Sequence, residues 1–105
     1  MRFSASILMQ SLHQGEPPGE ELWEEVIVLI EAADNESAMR LAEQAGRARE
    51  HEFFVDSPHK HLLRWTFASV ERVVAIEDQS LAHGAELFSR FLRREEAMSL
   101  RRPFE

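Results

Sequence analysis

The stretch "DSPHKHLLRW" places His59 and His61 two positions apart, close to Asp56. In a strand, side chains at this spacing project from the same face, so the two imidazoles could chelate Zn or Ni, with Asp56 or His51 completing the site. Pro58 and the Asp-Ser-Pro sequence instead indicate a hairpin tip, where polar residues are usually solvated. We therefore expect no metal and no cofactor. If a metal does bind, His59 and His61 are its candidate ligands.

The acidic pair Glu24 and Glu25 is the next candidate for chemistry. Adjacent strand residues point to opposite faces, so the two carboxylates cannot act together on one bond. One of them can face the core side and would then need a cationic partner, for which Arg64, Arg72 and Arg90 are the candidates. We predict a structural ion pair between Arg90 and one of the two glutamates, and a catalytic acid or base is the alternative.

Aromatic residues at strand spacing are typical of core packing, although they can also line a pocket for a planar ligand. No Gly-rich phosphate loop, nucleophile elbow or nucleotide fingerprint occurs in the sequence, so we name no catalytic residue and favour a non-enzymatic role. The candidate binding residues are Trp23, Glu24, Glu25, Trp65, Phe67 and Arg90.

Composition narrows the function further. The chain has 105 residues, which is the size of one domain, and it contains no cysteine. Its net charge is −7, with the acidic excess in the first half, so we expect no nucleic-acid partner. The opening "MRFSASILMQSL" is too short and too polar for a signal peptide or a spanning helix. A cytoplasmic protein without membrane contact is the expectation.

The pattern of the first half predicts two strands and one helix. Alternation from Phe3 to Met9 indicates a strand with one buried face. The apolar run from Leu22 to Ala32 predicts a central strand that is covered on both faces. Helical spacing follows over Asn35 to Glu50, with Asp34 as the N-cap. Gly46 inside this helix would cost about 1 kcal/mol relative to Ala.

The second half predicts three further strands. The segment "FFV" and the long run "LLRWTFASVERVVAIED" flank the hairpin tip, and the alternation of the long run breaks near Ala68 and Ser69, which indicates a bulge or bend. The segment "AELFSRFL" predicts a closing strand after a turn at Gly84. The expected fold is α+β, in the order ββαβββ: a mostly antiparallel sheet of about five strands with one main helix on one face. Residues 1–95 form the domain, and residues 96–105 form a basic, flexible tail.

Three segments, "WEEVIVLIEAADNESAMRLAEQAG", "LLRWTFASVERVVAI" and "HGAELFSRFL", together resemble a family of small bacterial proteins, the domain of unknown function 4288 family. The resemblance implies a shared α+β fold and carries no activity. Family members often have an Asn and a Gly between the helix and the aromatic strand, where this chain has "VDSPHKH". The positions that match the family pattern are Glu24, Glu25, Ala32, Ala38, Trp65, Phe67, Gly84, Glu86 and Arg90.

These observations favour a non-enzymatic interaction or binding module that acts as a homodimer. One short, Ala-rich helix covers only part of a five-stranded sheet, so the uncovered aromatic residues favour burial against a second subunit. One alternative is an acidic inhibitor or immunity-like partner of a basic protein, which rests on the negative charge. The other is a small metal-dependent hydrolase that uses the region of His59 and His61.

Overall fold

Four strands and two helices make up the fold in the computed structural model. The order along the chain is ββαββα, so the molecule is an α+β protein. The structure describes residues 1–15, 21–56, 59–77, 81–87 and 89–101. The elements are β1 (Arg2–His13), β2 (Trp23–Glu31), α1 (Asn35–Ala48), β3 (His51–Val55), β4 (His61–Ile76) and α2 (Arg94–Arg101).

The four strands form one curled antiparallel sheet in the order β2-β1-β4-β3. Helix α1 packs on one face of this sheet, mainly against β4 and β1. The prediction of an α+β fold with a mostly antiparallel sheet and one helix on one face is therefore confirmed. The prediction of about five strands was wrong, because the described part of the chain forms four.

Strand β1 separates the two faces of the sheet by its strict alternation. Phe3, Ala5 and Ile7 are buried under α1, on what we call the helix face. Ser4 and Ser6 are buried on the opposite side, which we call the open face. The first predicted strand is confirmed, and it extends beyond the predicted segment to His13.

Strand β2 lies at an edge of the sheet, and its predicted central position was wrong. It pairs with β1 in an unbroken register from Arg2 opposite Glu31 to Gln10 opposite Trp23. Its helix-face residues Val28 and Ile30 contact the core, whereas the open-face residues remain exposed. A β-branched apolar run fits an edge strand as well as a central one, so composition alone did not distinguish the two positions.

Helix α1 begins where the sequence predicts. The carboxylate of Asp34 accepts a hydrogen bond of 2.7 Å from the backbone N–H of Ser37, and this bond lowers the pKa of Asp34. Because the folded pKa is lowered, the stability that the cap contributes is present at neutral pH and is lost as the pH falls through that pKa. The helix ends at Ala48, two residues before the predicted end at Glu50.

Strand β4 contains two bulges, one of which the sequence predicts. The register with β1 moves from Leu8 opposite Ser69 to Met9 opposite Phe67, so Ala68 is an extra residue at the predicted break. A second shift, between Ser6 and Ile7, leaves Glu71 without a partner in β1. Both bulges increase the local twist and curl the sheet around α1.

The predicted closing strand is not formed by the described residues around it. Residues 81–87 and 89–93, which we call the crossing segment, run as irregular chain across the open face, and Phe88 lies outside the described residues. The hydroxyl of Ser4 donates to the carbonyl oxygen of Leu87 at 2.7 Å, and Arg72 donates to the carbonyl oxygen of Ser89. Side chains of the sheet therefore bind carbonyl groups that a ladder would otherwise use.

Helix α2 follows the crossing segment, and the sequence did not predict it. Its residues are exposed or half-buried. The boundary between a domain ending at residue 95 and a basic tail from residue 96 stays a prediction, as does the flexibility of that tail. Neither helix in the described ranges has the length and apolar character that crossing a membrane requires.

Gly46 is buried in α1 because Phe67 of β4 occupies the space next to it. A Cβ at this position would lie 2.7 Å from Cε1 of Phe67 and 3.1 Å from Cγ2 of Ile7. Real Cβ atoms do not approach ring carbons so closely, so the ring would have to move. The gain in helix propensity from a Gly46→Ala change, about 1 kcal/mol, opposes an overpacking cost of about 1–3 kcal/mol.

We expect Gly46→Ala to lower the free energy of unfolding by about 1 kcal/mol, measured by urea denaturation. In a Phe67→Leu background the same change should raise the free energy of unfolding, because the ring that crowds the Cβ is gone and the helix-propensity gain remains. If Gly46→Ala destabilises both backgrounds equally, the close approach of Phe67 is not the reason for the glycine.

Candidate functional site

The six candidate binding residues divide between the two faces of the sheet. The antiparallel register decides this, since residues directly opposite each other share a face. The helix face carries Glu24, Trp65 and Phe67. The open face carries Trp23 and Glu25. Arg90 of the crossing segment contacts Glu25 on that face. They therefore do not form one site.

A cleft on the helix face brings two of the predicted residues together. Glu24 lies opposite Met9, and Trp65 lies opposite both Ser11 of β1 and His51 of β3. The cleft opens where α1 ends and has a volume of about 280 Å³. Its lining residues are Met9, Glu24, Arg49, His51 and Trp65.

Phe67 is outside this cleft and has a packing role. Its ring lies beside Gly46 and under the guanidinium of Arg47, whose Cζ is 5.0 Å from the ring centroid. An arginine over an aromatic face is a favourable cation–π arrangement. Phe67 therefore anchors the last turn of α1 on β4, which positions the C-terminal end of the helix beside the cleft.

A polar cluster on the open face contains the predicted arginine–glutamate pair. The hydroxyl of Ser6 donates to Oε2 of Glu25 at 2.5 Å, and Nη1 of Arg90 lies 3.5 Å from the same oxygen. The ion pair between Arg90 and a β2 glutamate is thus confirmed, with Glu25 as the partner. Arg90 belongs to the crossing segment instead of a strand. Its side chain is 40% exposed and that of Glu25 28% exposed, so the pair is only partly desolvated.

The candidate metal ligands are engaged in a chain of hydrogen bonds. Nδ1 of His61 lies 2.7 Å from the carbonyl oxygen of His59, and Nε2 of His61 lies 2.8 Å from Nδ1 of His13. A carbonyl oxygen only accepts, so Nδ1 of His61 donates to it, and the second bond joins Nε2 of His61 to Nδ1 of His13.

Both ring nitrogens of His61, one of the two candidate ligands, therefore have hydrogen-bond partners within the protein. Across the ranges that the structure describes, no group of three or more His, Asp or Glu side chains is arranged to hold a metal ion. The described residues therefore give the metal-dependent alternative no ligand group.

The outer edge of β2 is the third feature of interest. The backbone N–H of Ser11 donates to the carbonyl oxygen of Leu22, and the N–H of Ala32 donates to the carbonyl oxygen of Met1. Because hydrogen-bonded pairs alternate along an antiparallel ladder, these two bonds decide which residues of β2 bond to β1 and which point away from it. The even-numbered residues of β2 bond to β1. The backbone groups that point away from β1 belong to Trp23, Glu25, Ile27, Leu29 and Glu31.

Comparison with known proteins adds the family. The family model described as Domain of unknown function (DUF4288) matches residues 2–89. The chain belongs to this family. The match to the DUF4288 model covers the four strands, α1 and most of the crossing segment, and it ends one residue before Arg90. No curated protein and no solved structure matches the chain.

Sequence reasoning missed the part of the cleft that the end of α1 supplies. Arg49 was not considered, and His51 was considered only as a metal ligand. The hairpin itself carried a usable signal. Pairing "HEFFV" with "HLLRW" around the Asp-Ser-Pro turn places His51 opposite Trp65, as the register between β3 and β4 has it. Arg49 is then placed close by, since it caps α1 only two residues before β3 begins.

The partly exposed Arg90–Glu25 pair should contribute modestly to stability. We expect Arg90→Met to lower the free energy of unfolding by about 0.5–1 kcal/mol, because the pair is partly exposed and Glu25 keeps its bond from Ser6. Urea denaturation in low salt measures the change. Arg93→Met is the matched control, since Arg93 is more exposed and pairs locally with Glu96. Equal denaturation midpoints for the parent and Arg90→Met would show that the pair contributes nothing.

Proposed function

We propose that this DUF4288 domain is a non-enzymatic interaction module that forms a homodimer by pairing the β2 edges of two copies. The observation that carries the proposal is the outer edge of β2, which is nine residues long and regular. Edge strands of monomeric proteins are usually short, bulged or interrupted by proline, because an unprotected edge is a template for another strand. None of these devices occurs in β2.

The backbone of β2 supports pairing with a second copy of itself. Its five outward-pointing residues are centred on Ile27. An antiparallel two-fold arrangement places Ile27 opposite Ile27 of the other copy and Glu25 opposite Leu29. Every outward N–H and C=O then meets a partner, and the two sheets become one continuous sheet.

The open-face side chains of β2 add apolar surface to this edge. Trp23 is 48% exposed, Ile27 47% and Leu29 60%. Trp23 begins β2, and Ile27 and Leu29 lie in its interior; neighbours on β1 cover one side of each. A second β2 strand would cover the other side, so the pairing buries apolar area as well as backbone groups.

The charges of β2 are compatible with this register and disfavour one of its neighbours. Glu25 is paired with Arg90, and Glu31 is paired with Arg2 at 3.5 Å. These arginines reduce the negative charge at the edge below what the three glutamates of β2 alone would give. Centring the two-fold on Ile27 opposes Trp23 with Glu31 and brings no two carboxylates directly opposite each other. Moving the centre to Glu25 would oppose two glutamates, which is destabilising.

We expect Ile27→Lys to convert a dimer into a monomer. The two-fold places the two new lysines directly opposite each other, with their Cβ atoms about 5 Å apart, and like charges at this distance repel. Sedimentation equilibrium at micromolar concentration should give twice the 12.2 kDa chain mass for the parent and the single mass for the variant. Val74→Lys is the control, since Val74 is a half-exposed open-face residue on β4, away from the edge.

Two outcomes would contradict edge pairing. A parent protein that sediments as a monomer at all concentrations removes the dimer altogether. Equal disruption by Ile27→Lys and Val74→Lys shows instead that two open faces stack on each other.

A cysteine crosslink tests the register itself. The natural chain contains no cysteine, so Ile27→Cys introduces a single thiol. In the proposed register the two Cα atoms are about 5.5 Å apart, within the range that a disulfide spans. We expect mild oxidation to give a covalent dimer with Ile27→Cys and none with Val74→Cys. Equal yields from both variants would indicate random collision.

A further inference from the structure

We infer that the cleft lined by Glu24, Arg49, His51 and Trp65 binds a small zwitterionic molecule, with one cationic and one anionic group on a flat apolar centre. The inference does not depend on dimer formation, because the cleft lies on the helix face and the proposed pairing uses the outer edge and open face of β2. Small-molecule sites typically combine an apolar floor with a few convergent polar groups.

Two opposite charges line this cleft without meeting each other. Glu24 comes from β2, and Arg49 is the C-cap residue of α1. Within the part of the chain that the structure describes, neither side chain forms an ion pair or a side-chain hydrogen bond. Elsewhere on the same sheet, Glu25, Glu31 and Glu52 each have an arginine partner. A ligand cation would complement Glu24, and a ligand carboxylate would complement Arg49 in a bidentate geometry.

The floor of the cleft suits a flat apolar centre. Met9 is buried, and the indole of Trp65 is half-buried between β1 and β3. An indole face and a thioether both form favourable contacts with aromatic rings. The cleft is therefore polar at its rim and apolar at its base, which matches a ring that carries a charged group at each end.

His51 is held in a fixed orientation at the rim. Its Nδ1 lies 2.9 Å from the carbonyl oxygen of Arg49 and donates to it. The ring also stacks on Phe53, with centroids 5.7 Å apart. Nε2 then has no partner among the described residues. This nitrogen is a further polar contact for a ligand and a restraint on its orientation.

The size of the cleft limits the class of ligand. Its volume of about 280 Å³ lies just below the usual range of small-molecule sites, about 300–1,000 Å³. A single-ring molecule fits this volume, whereas a nucleotide or a peptide of several residues does not.

The test uses 4-(aminomethyl)benzoate as the probe, since its ring carries an ammonium and a carboxylate at opposite ends. The chain has two tryptophans, so a Trp23→Phe background leaves Trp65 as the single fluorophore. We expect saturable quenching of Trp65 fluorescence by this probe at concentrations up to about 10 mM. Benzylamine lacks the carboxylate and 4-methylbenzoate lacks the ammonium, so each should bind roughly tenfold more weakly.

Charge-deletion variants assign each end of the probe. Glu24→Gln should weaken binding of 4-(aminomethyl)benzoate roughly tenfold and leave that of 4-methylbenzoate unchanged. Arg49→Gln should weaken binding of the zwitterion to a similar extent and leave that of benzylamine unchanged. Glu31→Gln is the matched control, because Glu31 is an exposed glutamate on the same strand but on the open face.

The inference is overturned if the zwitterion does not quench Trp65 at the highest concentration, or if all three compounds bind equally. It is also overturned if Glu31→Gln weakens binding as much as Glu24→Gln. Circular dichroism of each variant accompanies the titrations, so that loss of fold is not read as loss of binding. The Ile27→Lys variant should bind the probe like the parent, which separates failure of this inference from failure of the dimer proposal.

Discussion

The hydrogen-bond ladders on both sides of β1 are the interaction on which the rest of the molecule depends. This strand is paired with β2 along one edge and with β4 along the other. Its register places Met9 between Glu24 and Phe67, and it places Leu8 beside Glu25. The cleft on one face and the polar cluster on the other therefore follow from one set of backbone bonds. A slip of one residue would exchange the faces and remove both features.

Local chemistry made parts of this fold predictable. The alternation of β1, the Asp34 cap of α1 and the break at Ala68 each depend on neighbouring residues, and each was predicted correctly. The edge position of β2 and the irregular course of the described residues around the predicted closing strand depend on distant residues. Ser4 binds the carbonyl group of Leu87, which lies 83 residues away, and no local pattern records that bond.

The candidate site was predictable to a similar degree. Glu24 and Trp65 were recognised as residues that could bind something, because charge and aromatic surface on strands stand out in a sequence. Their meeting in one cleft depends on β1 lying between β2 and β4, and on the sheet's curl. Arg49 was missed because a surface arginine at a helix end looks the same in sequence whether or not a carboxylate partner is nearby.

The attachment of the crossing segment has a consequence for the order in which the molecule opens. Ser4 and Arg72 hold this segment by its main-chain carbonyl groups, and Arg90 adds a partly exposed ion pair. The sheet, by contrast, is held by continuous ladders. We therefore expect the segment to open at a lower free energy than the four strands, which stay paired. Each such opening would exchange the bond from Ser4 to Leu87 for a bond to water, on a timescale much shorter than that of global unfolding.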